Sequence, residues 1–428
     1  MAISEARIDL PTMAARGRTA VAVTFVTLGL TYGIWYSYSV FLVALLRDFG
    51  WSRSVLAGAF SLFVMVHGLS GPVLGWLVER FGPRRVIVTG AALIGAGLAL
   101  AAETRAAWQL YLAFGVIAAA GVSSTGWVPS VILVRGWFPS RLGTALGIAS
   151  AGIGVGIFAL VPLAQLLIDR FGWQWAFRVL GVLVVAWVIP AAALLLRDPP
   201  GRGTTARDRT AAEAHVHSTP HWTLAAALRS WRFWTIAGVF VAGSFATQTL
   251  LVHQVAYLVD HGVSALAAAS VVGVVGLASV AGKTGWGALS DRFGRELAYT
   301  LAFACVLASV GALVVAGARP SPVLPYVYAV LIGLGYAATA PLTPAVASDL
   351  FGGPRFPRIF GVLHATNSFG GAVGVWTAGY IFDVTGSYAL GLWVTALTAI
   401  CAPALLWVAA PRRPNPPPSL GARRRKRG

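Results

Sequence analysis

Apolar runs of about 20 residues or more, the length a helix needs to cross a bilayer, follow one another along almost the whole 428-residue chain. Short breaks rich in charge, glycine or proline separate them. Dividing the chain at those breaks predicts twelve helices, over residues 20–46, 55–78, 86–103, 108–134, 142–167, 177–196, 233–259, 264–289, 297–317, 323–347, 360–382 and 388–410. The segment "RDPPGRGTTARDRTAAEAHVHSTPHW" between the sixth and seventh is polar and has no apolar periodicity, so it reads as a linker between two six-helix halves. The expected organisation is a first bundle over 1–196, a linker over 197–232, a second bundle over 233–410 and a basic tail over 411–428. The fold class that follows is an all-α membrane protein.

Composition agrees. Hydrophobic residues make up 57% of the chain and charged residues 11%, against about 25% charged in soluble domains. Most of these helices must therefore be solvated by lipid or by each other. Cys305 and Cys401 both lie inside apolar runs and imply neither a disulfide nor a metal site. The first twenty residues lack the apolar core and cleavage site of a secretory signal, so the first span is expected to serve as its own insertion signal. His215, His217 and His221 could bind a metal, but a solvated linker explains them more simply. The net charge of +18 raises a nucleic-acid reading. Its basic residues concentrate in "PRRPNPPPSLGARRRKRG", and beside a bilayer such a tail marks the cytoplasmic face or meets anionic lipid; no nucleic-acid partner is expected. No nucleophile–base motif, metal spacing or phosphate loop is present, so an enzyme with a cofactor is not expected either.

If both termini lie inside, 25 of the 32 Lys and Arg residues fall on the cytoplasmic side. The outer loops hold Arg47, Arg53, Arg105, Arg170, Arg178 and Arg319. That asymmetry orients the chain with its termini cytoplasmic, in the inner membrane. The halves also share a signature: "GWLVERFGPRR" begins at Gly75 and "GALSDRFGRE" at Gly287, 212 positions apart. A pattern recurring at equivalent places is what internal duplication produces. On this repeat and the twelve spans, the chain resembles the major facilitator superfamily of secondary transporters. The resemblance implies two pseudo-symmetric six-helix bundles, and a conformational latch made of Glu79, Arg80 and Arg84 in the first copy and Asp291, Arg292 and Arg295 in the second. The first copy departs from the family pattern, with Glu79 for aspartate and Pro83 for a basic residue.

All fourteen Asp and Glu residues fall in tails, loops or span ends, so the membrane interior contains one obligate cation, Lys283, and no built-in counter-ion. Lys283 is the only charge between Ser264 and Ser290, and Asp291 lies eight residues on, about 12 Å along a helix. A lysine at the centre of a span costs about 2.5–3.5 kcal/mol on insertion scales. It can snorkel to the headgroups, or face a watery cavity and pair with an anion from the substrate. The missing carboxylate favours the second. Three histidines also lie in spans. His253 has Tyr257 one turn later on the same face, and His364 shares a face with Asn367. His67 occupies the duplicate position of Ser279. In the first helix Tyr32 and Tyr36 are four apart with Trp35 beside them, an apolar wall with hydroxyl donors.

"WFPSRLGTALGIASAGIGVG", from Trp137, is similar to the fifth-helix signature of the monocarboxylate transporter family, through Phe138, Arg141, Ala145, Gly147, Ile148, Ala149, Ala151, Gly152 and Gly156. Ser140, Leu142 and Thr144 depart from it, and in the first helix Tyr32 stands where the family has an acid. The resemblance implies that Lys283 takes the place of the eighth-helix basic residue that grips the substrate carboxylate, as lysine where arginine is usual. Ser279 stands where proton-coupled members carry aspartate, and the neutral Asn367 is nearest to the second lysine of dicarboxylate exchangers. A single cation suits a monoanion. The expected function is alternating-access transport of a small monocarboxylate of the lactate or pyruvate type. Its expected contacts are Lys283, His253, Tyr257, Tyr32, Tyr36, Asn367 and His364. The candidate proton carriers are His67, His253, His364 and Lys283 itself. Oxalate/formate-type anion exchange and a sensor without flux are the alternatives.

Overall fold

The structure is a computed structural model that describes residues 10–138, 142–196, 222–353 and 355–409, and every regular element among these residues is helical. Twelve rods follow one another: α1 Leu10–Phe49, α2 Arg53–Leu69 with its continuation Gly71–Phe81, α3 Pro83–Ala101, α4 Ala107–Arg135, α5 Leu142–Phe171, α6 Trp173–Leu195, α7 Trp231–Asp260, α8 Ala265–Phe293, α9 Arg295–Ala318, α10 Leu324–Phe351, α11 Phe356–Thr385 and α12 Ala389–Ala409. Ten are single helices long and apolar enough to cross a membrane, and α2 makes eleven when its two pieces count as one span. α11 has the length, 30 residues, but carries the polar run His364, Thr366, Asn367 and Ser368. The expected linker lies outside the described residues as far as 221. Beyond it a short helix, Leu224–Leu228, is capped by the Thr223 hydroxyl and introduced by the buried Trp222, which meets Phe351 edge-on at 5.2 Å. The basic tail lies outside the described residues.

The duplication inferred from one motif extends through the local geometry. Ser52 and Ser264, 212 positions apart, each cap the next helix by accepting a backbone N–H, from Val55 and Ala267. Gly50 and Gly262 share positive φ angles of 62° and 83°, and Gly82 and Gly294 share 92° and 101°. Side chains rarely tolerate that backbone region, which is why glycine stands at all four turns.

Within α1–α6, α1 packs along α5 and α3 along α6; within α7–α12, α7 packs along α11 and α8 along α10. The two sets meet through α2 on α11, α5 on α8 and α1 on α7. These contacts are confined to one side. Let the proximal end be the one that carries Leu10, Leu195, Trp222 and Ala409, and the distal end the opposite one. From the distal end inward, α2 and α11 touch at Gly379 against the Arg53 carbonyl, at Ser61, whose hydroxyl donates to the Ala372 carbonyl at 2.7 Å, and at Gly68 against Ser368. α5 and α8 touch at Gly154 and Gly276, where a Cβ on Gly276 would lie 2.6 Å from the Gly154 carbonyl. Past these points the rods diverge. α2 bends by 47° at Ser70, where Pro72 lacks the N–H a continuous helix needs. Gly71, Gly75, Gly147, Gly285 and Gly361, on the proximal stretches of α2, α5, α8 and α11, have open space where a side chain would begin. The result is a groove closed distally and open proximally.

Candidate functional site

The apex of that groove is where the closed contacts end. His67 directly precedes the crossing glycine Gly68, Asn367 directly precedes its partner Ser368, and His364 is one turn further toward the mouth. Lys283 lies seven residues beyond Gly276, about 10 Å along α8. It is half-buried, and among the described residues it makes no hydrogen bond or ion pair; every recorded ion pair joins residues at helix ends. The next residue back, Gly282, is pressed against Leu334 and Ala337 of α10. One turn before Lys283, the buried Ser279 hydroxyl donates to the Gly276 carbonyl at 2.7 Å.

Aromatic rings surround this face. Tyr36 of α1 and Tyr336 of α10 approach with ring centroids 6.1 Å apart. The Tyr336 hydroxyl is buried facing those of Tyr36 and Ser279 without closing a hydrogen bond to either. Tyr32 stacks on Trp35 at 5.8 Å, and Trp35 meets the His67 ring edge-on at 4.7 Å. His67 Nδ1 sits 3.1 Å from the Ser123 hydroxyl, which also lies 2.8 Å from the Ala119 carbonyl. His67 lies within electrostatic reach of His364 across the α2–α11 crossing. His364 and Asn367 make no hydrogen bond among the described residues. The groove apex therefore combines an ammonium lacking a carboxylate, a hydroxyl lacking a partner, two imidazoles and apolar ring faces. That chemistry suits a small organic anion.

The expected site residues divide into two groups. Lys283, Tyr32, Tyr36, His364 and Asn367 lie on the helices that frame the groove apex. His253 and Tyr257 do not join them. His253 is seven residues from the distal end of α7, about 10 Å, whereas Lys283 is eighteen from the distal end of α8, about 27 Å. Both His253 ring nitrogens are already engaged, by the Tyr388 hydroxyl and the Val375 carbonyl at 2.9 Å each. Tyr257 stacks on His261 at 4.2 Å, in the same distal cluster. The shared face inferred from their spacing is real, but it turns toward α11 and α12. Tyr336 and Ser123 were not foreseen, because a lone Tyr or Ser in an apolar run carries no signal until a second helix is laid beside it.

The latch residues sit at the proximal end. Asp291 pairs with Arg295 at 2.5 Å, and Arg295 also reaches Asp349 of α10 at 3.2 Å and the Ser290 hydroxyl at 2.7 Å. Arg84 donates to the Ala193 carbonyl, while Arg80 covers Trp76 and Phe81, and Arg292 covers Phe293. The Glu79 side chain lies outside the described residues. Each recorded contact of the described side chains stays within one set of six rods.

Comparison with known proteins places these features. The family model described as Major Facilitator Superfamily matches residues 24–341, and again 286–427. Monocarboxylate transporter 3 of Rattus norvegicus is 30% identical over 385 residues, spanning 87% of this chain and 75% of the relative. Monocarboxylate transporter 13 of the same species is 28% identical over 375 residues, spanning 87% and 84%. Among solved structures, a bacterial homologue of the human lysosomal transporter Spinster, in an inward-facing and occupied conformation, superposes with a TM-score of 0.65 at 17% identity, covering 91% of this chain and 96% of that one. At that identity the likeness is one of fold.

Proposed function

Because the chain belongs to the major facilitator superfamily, and is thus a multi-pass membrane transporter rather than an enzyme, we propose that it carries small organic anions, monocarboxylates foremost, by alternating access. The single observation that supports this cargo is Lys283, a cation at the apex of an open groove that pairs with no carboxylate among the described residues. A bound carboxylate completes the ion pair, and a neutralised cation costs less to occlude than a bare one. The methyl or short alkyl part of the anion then faces Tyr36, Tyr336 and Trp35. With the termini placed in the cytoplasm by the excess of basic residues on that side, the groove opens inward, in the inner membrane. Exchange of access is a rocking of residues 1–196 against 233–410. The monocarboxylate names of relatives about 30% identical agree with this reading.

The test is uptake of labelled lactate and pyruvate into proteoliposomes. Lys283→Ala is expected to lower uptake at least about tenfold, the weight of one charge-assisted hydrogen bond, and Lys283→Arg to retain it. Unimpaired uptake by Lys283→Ala would remove the proposed anchor. A second reading, obligatory exchange of small anions, is favoured by the lack of Asp or Glu inside any span. Uptake that requires substrate preloaded inside the vesicles distinguishes it.

A further inference from the structure

At the distal end one charged side chain of α2 crosses to the other set of helices. Arg53 begins α2, and its recorded partners all belong to α7–α12. Its Nη2 pairs with Asp260 at the end of α7, 2.8 Å away, and its Nη1 donates to the Tyr388 hydroxyl at 2.7 Å. Its guanidinium carbon lies 3.7 Å from the centroid of the Phe382 ring. The backbone N–H groups of Arg53 and Ser54 donate to the two carboxylate oxygens of Asp383, both at 2.8 Å. A helix N-terminus offers unpaired N–H groups and a partial positive charge. Here the acid that satisfies them comes from α11, in the other set.

The bonds continue inward with a fixed direction. The Val375 carbonyl can only accept, so the proton of neutral His253 is on Nε2, and Nδ1 is left as an acceptor. Tyr388 accepts from Arg53, and its own O–H is free to donate to Nδ1 at 2.9 Å. The chain of donors runs Arg53, Tyr388, His253, Val375. A proton added at Nδ1 reverses the middle link. The Tyr388 oxygen would then face two donors, its own hydrogen would lose its acceptor, and an imidazolium would stand one residue from the Arg53 guanidinium.

We propose that His253 is a proton-binding site controlling this closure: neutral His253 holds the distal end shut through Tyr388 and Arg53, and protonated His253 releases it. Around His253 the charged and titratable groups are Arg53 of α2, Asp383 of α11, Tyr388 at the start of α12, Tyr257 and Asp260 of α7 itself, and His261 stacked on Tyr257 just past the end of α7. Of the other rods packed on α7, α9 brings Tyr299 against Gly243 and α10 brings Tyr328 to the Leu250 carbonyl at 3.5 Å. α1 carries Tyr36 and α8 carries Lys283, both nearer the groove apex. Asp383 and Asp260 are already committed to the α2 N-terminus and to Arg53, so neither offers the imidazolium a free counter-charge. The consequence for transport rests on the alternating-access reading; the closure itself does not.

The experiment measures distances between spin labels on Arg105→Cys and Ser387→Cys, one on each set of helices at the distal end. It uses the full chain in lipid nanodiscs, with Cys305 and Cys401 replaced by Ser and no substrate present. Between about pH 8 and about pH 4, a window that reaches below the ordinary imidazole range, the open-to-closed ratio is expected to rise about tenfold, one pKa unit of coupling. His253→Gln, whose amide can donate to Val375 and accept from Tyr388 but cannot titrate there, is expected to stay closed at both pH values. Tyr388→Phe keeps the Arg53–Asp260 pair and is expected to lose most of the pH response. Arg53→Met is expected to open at both. A pH response undiminished in His253→Gln overturns the proposal, as does a wild-type distance that pH does not move or an Arg53→Met protein that stays closed. Because no cargo is present, a failed carboxylate-uptake assay leaves this result standing, and the converse holds too.

Discussion

A lysine inside an apolar helix keeps its charge only if something polar meets it, and the residues around Lys283 leave that role open. Ser279 uses its hydroxyl on its own helix, and Asp291 of α8 and Asp349 of α10 pair with Arg295 at the proximal end. On α10 the buried Tyr336 hydroxyl faces Ser279, one turn before Lys283. A carboxylate seated on Lys283 could accept from it, and a hydrogen bond to a charged group contributes about 1.5–3 kcal/mol. Tyr336→Phe is therefore expected to raise the KM for monocarboxylate uptake about tenfold. A KM equal to wild type in concentration-dependent uptake would exclude Tyr336 from the site.

Between helices the deciding positions are glycines, and they fall into two groups by where they sit along α2, α5, α8 and α11. Gly68, Gly154, Gly276 and Gly379 are pressed against the facing helix, whereas Gly71, Gly75, Gly147, Gly285 and Gly361 face open space. If the two sets of helices rock, the second group becomes the contact when the first group parts. Gly154→Val puts a side chain onto Gly276 and is expected to force the distal end apart, which distal spin-label distances would report directly. At Gly285 the first side-chain carbon of a leucine would meet nothing within 4 Å in the present conformation. Gly285→Leu is expected to leave the folded protein intact but to slow flux by obstructing proximal closure, so normal binding with slow exchange is its signature. Flux at the wild-type rate in Gly285→Leu would show that α8 does not pack there in the other state. The repeat also sets the turns: the matched caps at Ser52 and Ser264, and the matched left-handed glycines beside them, start α2 and α8 alike.

At the scale of the molecule, closure at one end and opening at the other are two faces of a single arrangement. The second of the duplicated loops carries its recorded ion pairs within one set of rods, while Arg53 carries its contacts across the gap. A disulfide joining Ser54→Cys to Gly379→Cys spans backbone that already touches: a Cβ on residue 379 would lie 3.0 Å from the Ser54 nitrogen. Such a bridge is expected to abolish uptake, and a thiol reductant to restore it, with the un-bridged double variant as the reference. Uptake that persists under oxidising conditions would mean that transport proceeds without distal opening.

The chain alone determined the all-helical membrane class, the ends of every span except the start of the first to within about four residues, and the duplication. Each of these is local: an apolar run, a charge at a break, or a motif met twice 212 positions apart. It also singled out Lys283, because a missing counter-ion can be established by reading every acid in turn. It could not distinguish a histidine that faces a groove from one that faces a neighbouring helix, since both faces are apolar in a protein solvated by lipid. His253 and His364 therefore read alike in sequence, yet one is bonded at both nitrogens near the distal end and the other is unbonded beside the apex. Arg53 likewise counted as one outer-loop charge among six. Only the tertiary fold brought it to Asp260, Asp383 and Tyr388, because such partnerships depend on which helix ends pack together, and no local pattern of residues records that.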